Sequence, residues 1–149
     1  MTTVAFDGKV MAADSKQTDN WGLLSWVDDK ILMTPTVLIG SAGDSAQLRK
    51  WRRDFKAHWT AKDFIAFGYP TYKKDDDDPA IILVDRLTKY VYKHSQGIFL
   101  PCCRAYHAVG SGRDFALGAM ACGKSAREAV EIAIEFDNGS GGTIFSEVA

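Results

Sequence analysis

The chain has 149 residues, 46% of them hydrophobic and 25% charged, with a formal net charge of -1. That length and balance describe one ordinary globular domain with room for a sizeable core; near-neutral charge gives no bulk attraction to nucleic acid or to an anionic membrane. No apolar run approaches the roughly 20 residues of a membrane span, no secretory leader precedes Thr2, and three cysteines, two of them adjacent at Cys102-Cys103, fit a reducing cytoplasmic setting better than a disulfide framework.

In chain order, Thr3 to Phe6 is β-branched and aromatic and reads as a strand. Asp7-Gly8 is a tight-turn signal leading to a second strand over Val10–Asp14. Ser15 to Gly22 is polar and turn-rich. Leu23–Val27 and Ile31–Met33 are short strand candidates, the latter broken by Pro35, and Val37–Gly40 reads as a strand buried on both faces. Trp21 and Trp26 read as core or interface.

Asp44 and Ser45 are N-cap residues for a helix whose apolar stripe runs through Leu48, Trp51 and Phe55 to Trp59, with Arg49, Lys50, Arg52, Arg53 and Lys56 as a solvated basic side. A short apolar piece, Phe64–Phe67, ends at Gly68 and Pro70. Lys73 to Pro79, with four consecutive aspartates, is a loop. Ala80–Asp85 and Leu87–Lys93 read as a strand pair across an Asp85-Arg86 turn, and Tyr106–Val109 as a further strand. Two helices follow, Phe115–Cys122 and Ala126–Phe136, with Gly123 between them and Ser125 as a cap. Thr143–Val148 closes the chain as a strand. Strands, a helix pair, strands, a helix pair and a strand in that order predict an α+β sandwich with helices outside.

Thr2 carries the first chemical signal. With Met1 removed it holds a hydroxyl and a free α-amine whose pKa is ordinarily about 8, so nucleophile and base sit in one residue. With Met1 retained, the Thr2 nitrogen is a peptide nitrogen and cannot act as a base. A lone threonine here would read as a strand end, but five further stretches follow in order: Ala12-Ala13-Asp14-Ser15; Lys30 before an apolar strand; Gly40-Ser41-Ala42-Gly43; Gly110-Ser111-Gly112; and Asp137-Asn138-Gly139-Ser140-Gly141-Gly142. The glycine segments lack G-x-G-x-x-G or Walker spacing, which argues against nucleotide binding. Cys102, Cys103 and His107 are too few for a structural zinc site and badly spaced for a cysteine–histidine dyad, with Pro101 suggesting a loop.

Taken together, these motifs resemble the proteasome β-subunit and HslV family of N-terminal-nucleophile hydrolases, over nearly the whole chain. The resemblance implies a four-layer αββα sandwich of two antiparallel sheets, here with a reduced first helical layer, and a threonine peptidase that needs no metal or cofactor. It implies Thr2 as nucleophile, with Lys30 and Asp14 adjusting its charge environment. Gly43 N–H would serve as oxyanion donor, and Ser111, Asp137 and Ser140 as the network around the amine. The ordinary readings of these residues are a surface lysine paired with Asp28 or Asp29, a turn cap at Asp14, a strand-ending glycine at Gly43, a loop at Ser111 and a glycine-rich helix stop after Asp137.

The resemblance also places Gln17, Asp28 and Ser41 around the primary substrate pocket. Small Ser41 predicts a deep floor, and Asp28 predicts lysine or arginine favoured over glutamate. Peptide or unfolded-protein substrates, a homo-oligomer (a ring among the options) and an ATP-dependent unfoldase follow as expected partners. A catalytically silent scaffold subunit and a small-molecule amidase are the alternative functions.

Overall fold

The computed structural model describes residues 2–18, 24–68 and 79–149. Its first strand, β1 (Thr3–Phe6), is buried on both faces and turns through Asp7-Gly8 into β2 (Val10–Ala13). Gly8 sits at φ +97°, where a side chain is strained, and Asp7 Oδ1 accepts the Lys9 and Val10 N–H groups at 2.9 and 2.8 Å. On the far side of β1 lies β10 (His107–Gly110), and on the far side of β2 lies β11 (Phe145–Val148). The first sheet is therefore antiparallel with order β10-β1-β2-β11.

The second sheet runs β5 (Ile31–Met33), β6 (Val37–Ala42), β7 (Ala80–Asp85), β8 (Val91–Ser95) and β9 (Ile98–Cys102) in spatial order, all antiparallel. Alternation divides its side chains between two cores. Leu38, Ala42, Ile82 and Val84 face Val4, Phe6, Met11 and Val109 of the first sheet. Val37, Ile39, Ile81 and Leu83 face α1 (Ser45–Arg52) and α2 (Ala61–Phe67). The sheets meet closely at Gly40, where a Cβ would come within 2.6 Å of both Met11 Sδ and Val4 Cγ1. Behind the first sheet, Ala5, Ala12 and Ala108 pack on α3 (Arg113–Ala121) and α4 (Ala126–Phe136). The result is the expected α+β, four-layer αββα sandwich.

The reduced first helical layer is present: α1 has eight residues and α2 seven. Asp44 caps α1 by accepting from Gln47 N–H at 3.0 Å, and Ser125 with Glu128 forms a capping box on α4.

Several expected elements shift. The helix predicted through Trp59 stops at Arg52, because Phe55 folds back edge-on against Trp51 and Phe64, with ring centroids 4.6 and 4.7 Å apart. Aromatic packing onto α2 overrides the helical stripe. The turn after β7 is longer than Asp85-Arg86: Asp85 Oδ1 accepts Leu87 and Thr88 N–H, and Asp85 N–H reaches Tyr90 O. The region around Pro101 is strand β9 rather than loop, which a sheet edge tolerates because proline's missing donor is not needed there. A two-residue Gln96-Gly97 turn, both at positive φ, makes the hairpin from β8 to β9. Lys16–Thr18, read as part of a polar turn, is β3, paired with β4 (Leu24–Trp26) in a separate ribbon. Trp26 is 64% exposed and so is not core. Trp21 and the aspartate run lie outside the described residues. No helix among the described residues is long and apolar enough to cross a membrane.

Candidate active site

Everything converges on the start of β1. Antiparallel pairing sets Thr3 opposite Gly110 and Val4 opposite Ala13. Because Val4 and Phe6 point between the sheets while Ala5 points at α3 and α4, Thr3 faces the helices and Thr2 continues the inter-sheet row. Thr3 Oγ1 is accordingly buried against Ser140 Oγ at 2.6 Å, a strut rather than an open hydroxyl.

Two glycines make this approach possible. A Cβ at Gly110, itself at φ +99°, would overlap the Thr2 carbonyl, and one at Gly112 would overlap Thr3 Oγ1. The Gly110-Ser111-Gly112 segment thus wraps the chain start with its one side chain presented to Thr2. Ser111 Oγ accepts from Thr2 N at 3.3 Å and donates to Asp137 Oδ2 at 2.7 Å. Ser140 Oγ donates to the same oxygen at 2.6 Å, while Asp137 Oδ1 accepts Gly139 N–H at 3.2 Å. Burial pushes the Asp137 carboxyl upward, but the Ser111, Ser140 and Gly139 hydrogen bonds outweigh it and hold the group below the usual carboxylate range. An unbroken relay therefore leads from the Thr2 nitrogen to an ionised carboxylate.

Asp14 follows β2 and is buried. Its Oδ1 accepts Thr3 N–H at 2.9 Å and Lys30 Nζ at 2.8 Å, and its Oδ2 accepts Gly141 and Lys16 N–H at 2.9 and 3.2 Å. Four donors on one carboxylate tie together the start of β1, the chain before β5 and the turn after α4. Lys30 is buried too, and its ammonium also donates to the Lys16 carbonyl at 2.6 Å. Burial lowers the Lys30 pKa from its ordinary value, opposed by the charge and hydrogen bond of Asp14. The surface pairing with Asp28 or Asp29 is not what the lysine makes; Asp29 instead pairs with Arg49 Nε at 2.7 Å.

Gly43, just past the end of β6, is exposed at φ +144°, and a Cβ there would press on Pro79 Cα at 3.1 Å. The end of β6 lies close to Gly110: a Cβ there would lie 3.4 Å from Ala42 Cβ. The three residues expected around the substrate pocket have the following surroundings. Ser41 is buried on the α1 side of β6, its N–H paired with the Lys30 carbonyl at 3.0 Å. Gln17 Nε2 donates to Ser45 Oγ of α1. Asp28 is exposed and lines a hollow of about 540 Å³ with Ser15, Trp26, Val27, Gly142, Thr143 and Phe145.

The sequence reading missed Arg52. It is half-buried instead of lying on the solvated basic side, and its Nη2 donates to Ser41 Oγ at 2.6 Å, taking the room that a small side chain leaves. Its i+4 spacing from Leu48, on the buried stripe of α1, was the available signal. His107 Nε2 donates to the Arg104 carbonyl at 2.9 Å.

Two antiparallel sheets between helix pairs, with the chain start in a central strand, are the N-terminal-nucleophile hydrolase fold. The same architecture is found in BPH from Thiobacillus denitrificans in complex with epoxomicin, at TM-score 0.70 and 19% identity over 99% of this chain and 97% of that one. Uncomplexed Thiobacillus denitrificans BPH gives 0.67 at 18% identity, covering 99% and 96%. HslV from Trypanosoma brucei gives 0.66 at 18% identity, covering 99% and 97%. No family model and no curated relative matches the chain.

Proposed function

We propose that the chain is a threonine peptidase whose nucleophile is Thr2 once Met1 is removed. The observation that carries this is the relay Thr2 N–Ser111–Asp137, set beside a buried Asp14–Lys30 pair at the same strand end. Thr2 Oγ attacks the amide carbonyl and its proton passes to the α-amine; the oxyanion takes the Gly43 N–H; the amine then protonates the leaving nitrogen. Water hydrolyses the ester with the same amine as base. Lys30, as a cation, favours the alkoxide and the neutral amine, and Asp14 holds Lys30 in place. Ser111, Asp137 and Ser140 orient the amine.

The same reading takes peptides and unfolded protein as substrates and a homo-oligomer as the working form, cytoplasmic and fed by an ATP-dependent unfoldase. Such an assembly excludes folded proteins by walling its sites inside. Light scattering at micromolar concentration is expected to give an oligomer; a monomer removes this part of the proposal.

The decisive test is intact mass. The expected result is loss of Met1 followed by one covalent adduct on Thr2 with an electrophilic peptide, and with epoxomicin, the compound held by the Thiobacillus denitrificans neighbour. Thr2→Ala is expected to abolish both adduct and turnover, and Thr2→Ser to retain part of each. Peptidase activity surviving in pure Thr2→Ala protein excludes Thr2 as nucleophile.

A further inference from the structure

A buried histidine stands two strands away from Gly43. His94 lies on β8, and its Nε2 accepts the Gly97 N–H at 2.9 Å, in the hairpin to β9. A ring nitrogen that accepts carries no proton, so the proton of the neutral imidazole sits on Nδ1, which donates to the Pro79 carbonyl at 2.9 Å. Phe99 closes against the ring with centroids 5.7 Å apart and planes inclined by 66°. The imidazole is therefore fixed in orientation, and what it holds is the residue that precedes β7.

Pro79 is in turn the wall of Gly43. Ala42 pairs with Ala80 across β6 and β7, so one further step of the register brings Gly43 against Pro79. A Cβ built on Gly43 would lie 3.1 Å from Pro79 Cα and 3.2 Å from Pro79 Cβ. Gly43 has no side chain to fix it, and its φ of +144° is one that glycine adopts readily. The chain holds it at both ends, through Ala42 in the ladder and Asp44 as the cap of α1. Between those ends, the direction of the Gly43 N–H depends on the packing of Pro79. Proline has no N–H with which to anchor itself, so its carbonyl is the backbone group left for that, and His94 binds it.

We propose that His94 is a positioning residue for the reaction: through Pro79 it keeps the Gly43 N–H aimed at the oxyanion. This rests on the peptidase reading, which takes Gly43 as the oxyanion donor. His94 acts at two removes and transfers no proton. Its effect falls on the step in which charge develops on the carbonyl oxygen, so it is read in kcat and not in KM.

Two variants separate this from a structural role. In His94→Asn the amide nitrogen stands where Nδ1 stood, keeping the bond to Pro79 and losing that to Gly97. In His94→Gln the longer amide reaches the place of Nε2, keeping an acceptor for Gly97 and losing the bond to Pro79. With a fluorogenic peptide and the mature protein, His94→Gln is expected to lower kcat at least about tenfold with KM unchanged. His94→Asn is expected to retain most of kcat. A merely structural histidine predicts that kcat follows thermal stability in both variants alike. Equal kcat in the two, or a loss carried by KM, overturns the proposal. Should His94→Gln fail to fold, Pro79→Gly removes the wall and leaves the carbonyl, and undiminished kcat in that variant overturns the proposal as well.

The Gly43 amide reports the same link without turnover. In protein labelled at glycine nitrogen, its NMR signal is expected to move in His94→Gln and to stay in place in His94→Asn. A signal unmoved in His94→Gln overturns the assignment, whatever becomes of Thr2. A signal that moves in His94→Gln alone, in a protein whose Thr2 takes no electrophile, would leave the positioning of Gly43 standing and the peptidase reading refuted.

Discussion

The two helical layers are built on opposite principles. Behind the first sheet, α3 and α4 press alanine on alanine: Ala5, Ala12 and Ala108 against Ala116, Ala119, Ala126 and Ala129, most of them fully enclosed. Over the second sheet, α1 and α2 bury an aromatic mass of Trp51, Phe55, Trp59 and Phe64, in which edge-to-face contacts replace long helices. Small side chains fix helix against strand with little room for adjustment, and the relay of Ser111, Asp137 and Ser140 hangs on that side. Large rings tolerate repacking, and Ser45, Arg49 and Arg52, which contact Gln17, Asp29 and Ser41, belong to that side. Rigidity lies with the layer behind the Ser111–Asp137–Ser140 hydrogen bonds, and latitude with the aromatic layer.

The largest way to break this division is at the residue that joins its halves. Asp14→Ala leaves Lys30 buried without its partner and orphans three N–H donors, so a loss of about 3–5 kcal/mol is expected by urea unfolding. Activity is expected to vanish with it. Ala129→Leu, forcing three carbons into the alanine layer, is expected to cost about 3 kcal/mol and to disturb turnover through Asp137, which caps the end of the same helix. Phe64→Leu in the aromatic layer is expected to cost about 1–2 kcal/mol, with kcat nearly unchanged. Equal costs for the last two, or a larger kcat loss from Phe64→Leu, would erase the contrast.

Protons give two smaller tests. Burial pushes the Asp7 carboxyl up, but hydrogen bonds from Val10, Ala126 and Lys9 N–H groups bring it below its ordinary value; Asp137 is lowered as well. A folded-state value below the unfolded one stabilises fully above the unfolded pKa of about 3.9, and that contribution is lost as pH falls through the lowered values. Stability is therefore expected to drop below about pH 4, and to drop less in Asp7→Asn, which denaturation at two pH values measures. Lys30 gives the opposite limb. Since its pKa is lowered, the rate is expected to fall on the alkaline side before an ordinary lysine near 10.4 would deprotonate. A flat rate through that range removes Lys30 from the charge balance around Thr2.

Much of this was legible in the chain. The Asp7-Gly8 turn, the Asp44 and Ser125 caps and α4 follow from local chemistry that nothing overrides. Asp14 and Ser140 stood out through the resemblance of their motifs, and the structure supplies both with partners. What stayed hidden is non-local. The end of α1 is decided by Phe64, and β3 is a polar strand held by pairing with β4. The contact of Arg52 with Ser41 depends on β6 lying beneath the helix, which one-dimensional periodicity does not encode.

The hydrogen bonds around Thr2 have a consequence for the making of the protein. Thr2 meets Ser111 across 109 positions, Asp14 meets Gly141 across 127, and Thr3 meets Ser140 across 137. The first residues leave the ribosome long before their partners exist, and contacts of such separation close late in folding. An emerging chain holds the hydroxyl but not the complete set of Ser111, Asp137 and Ser140 until residue 140 has been synthesised and packed. The proposed nucleophile is thus unarmed throughout translation, with timing set by topology alone.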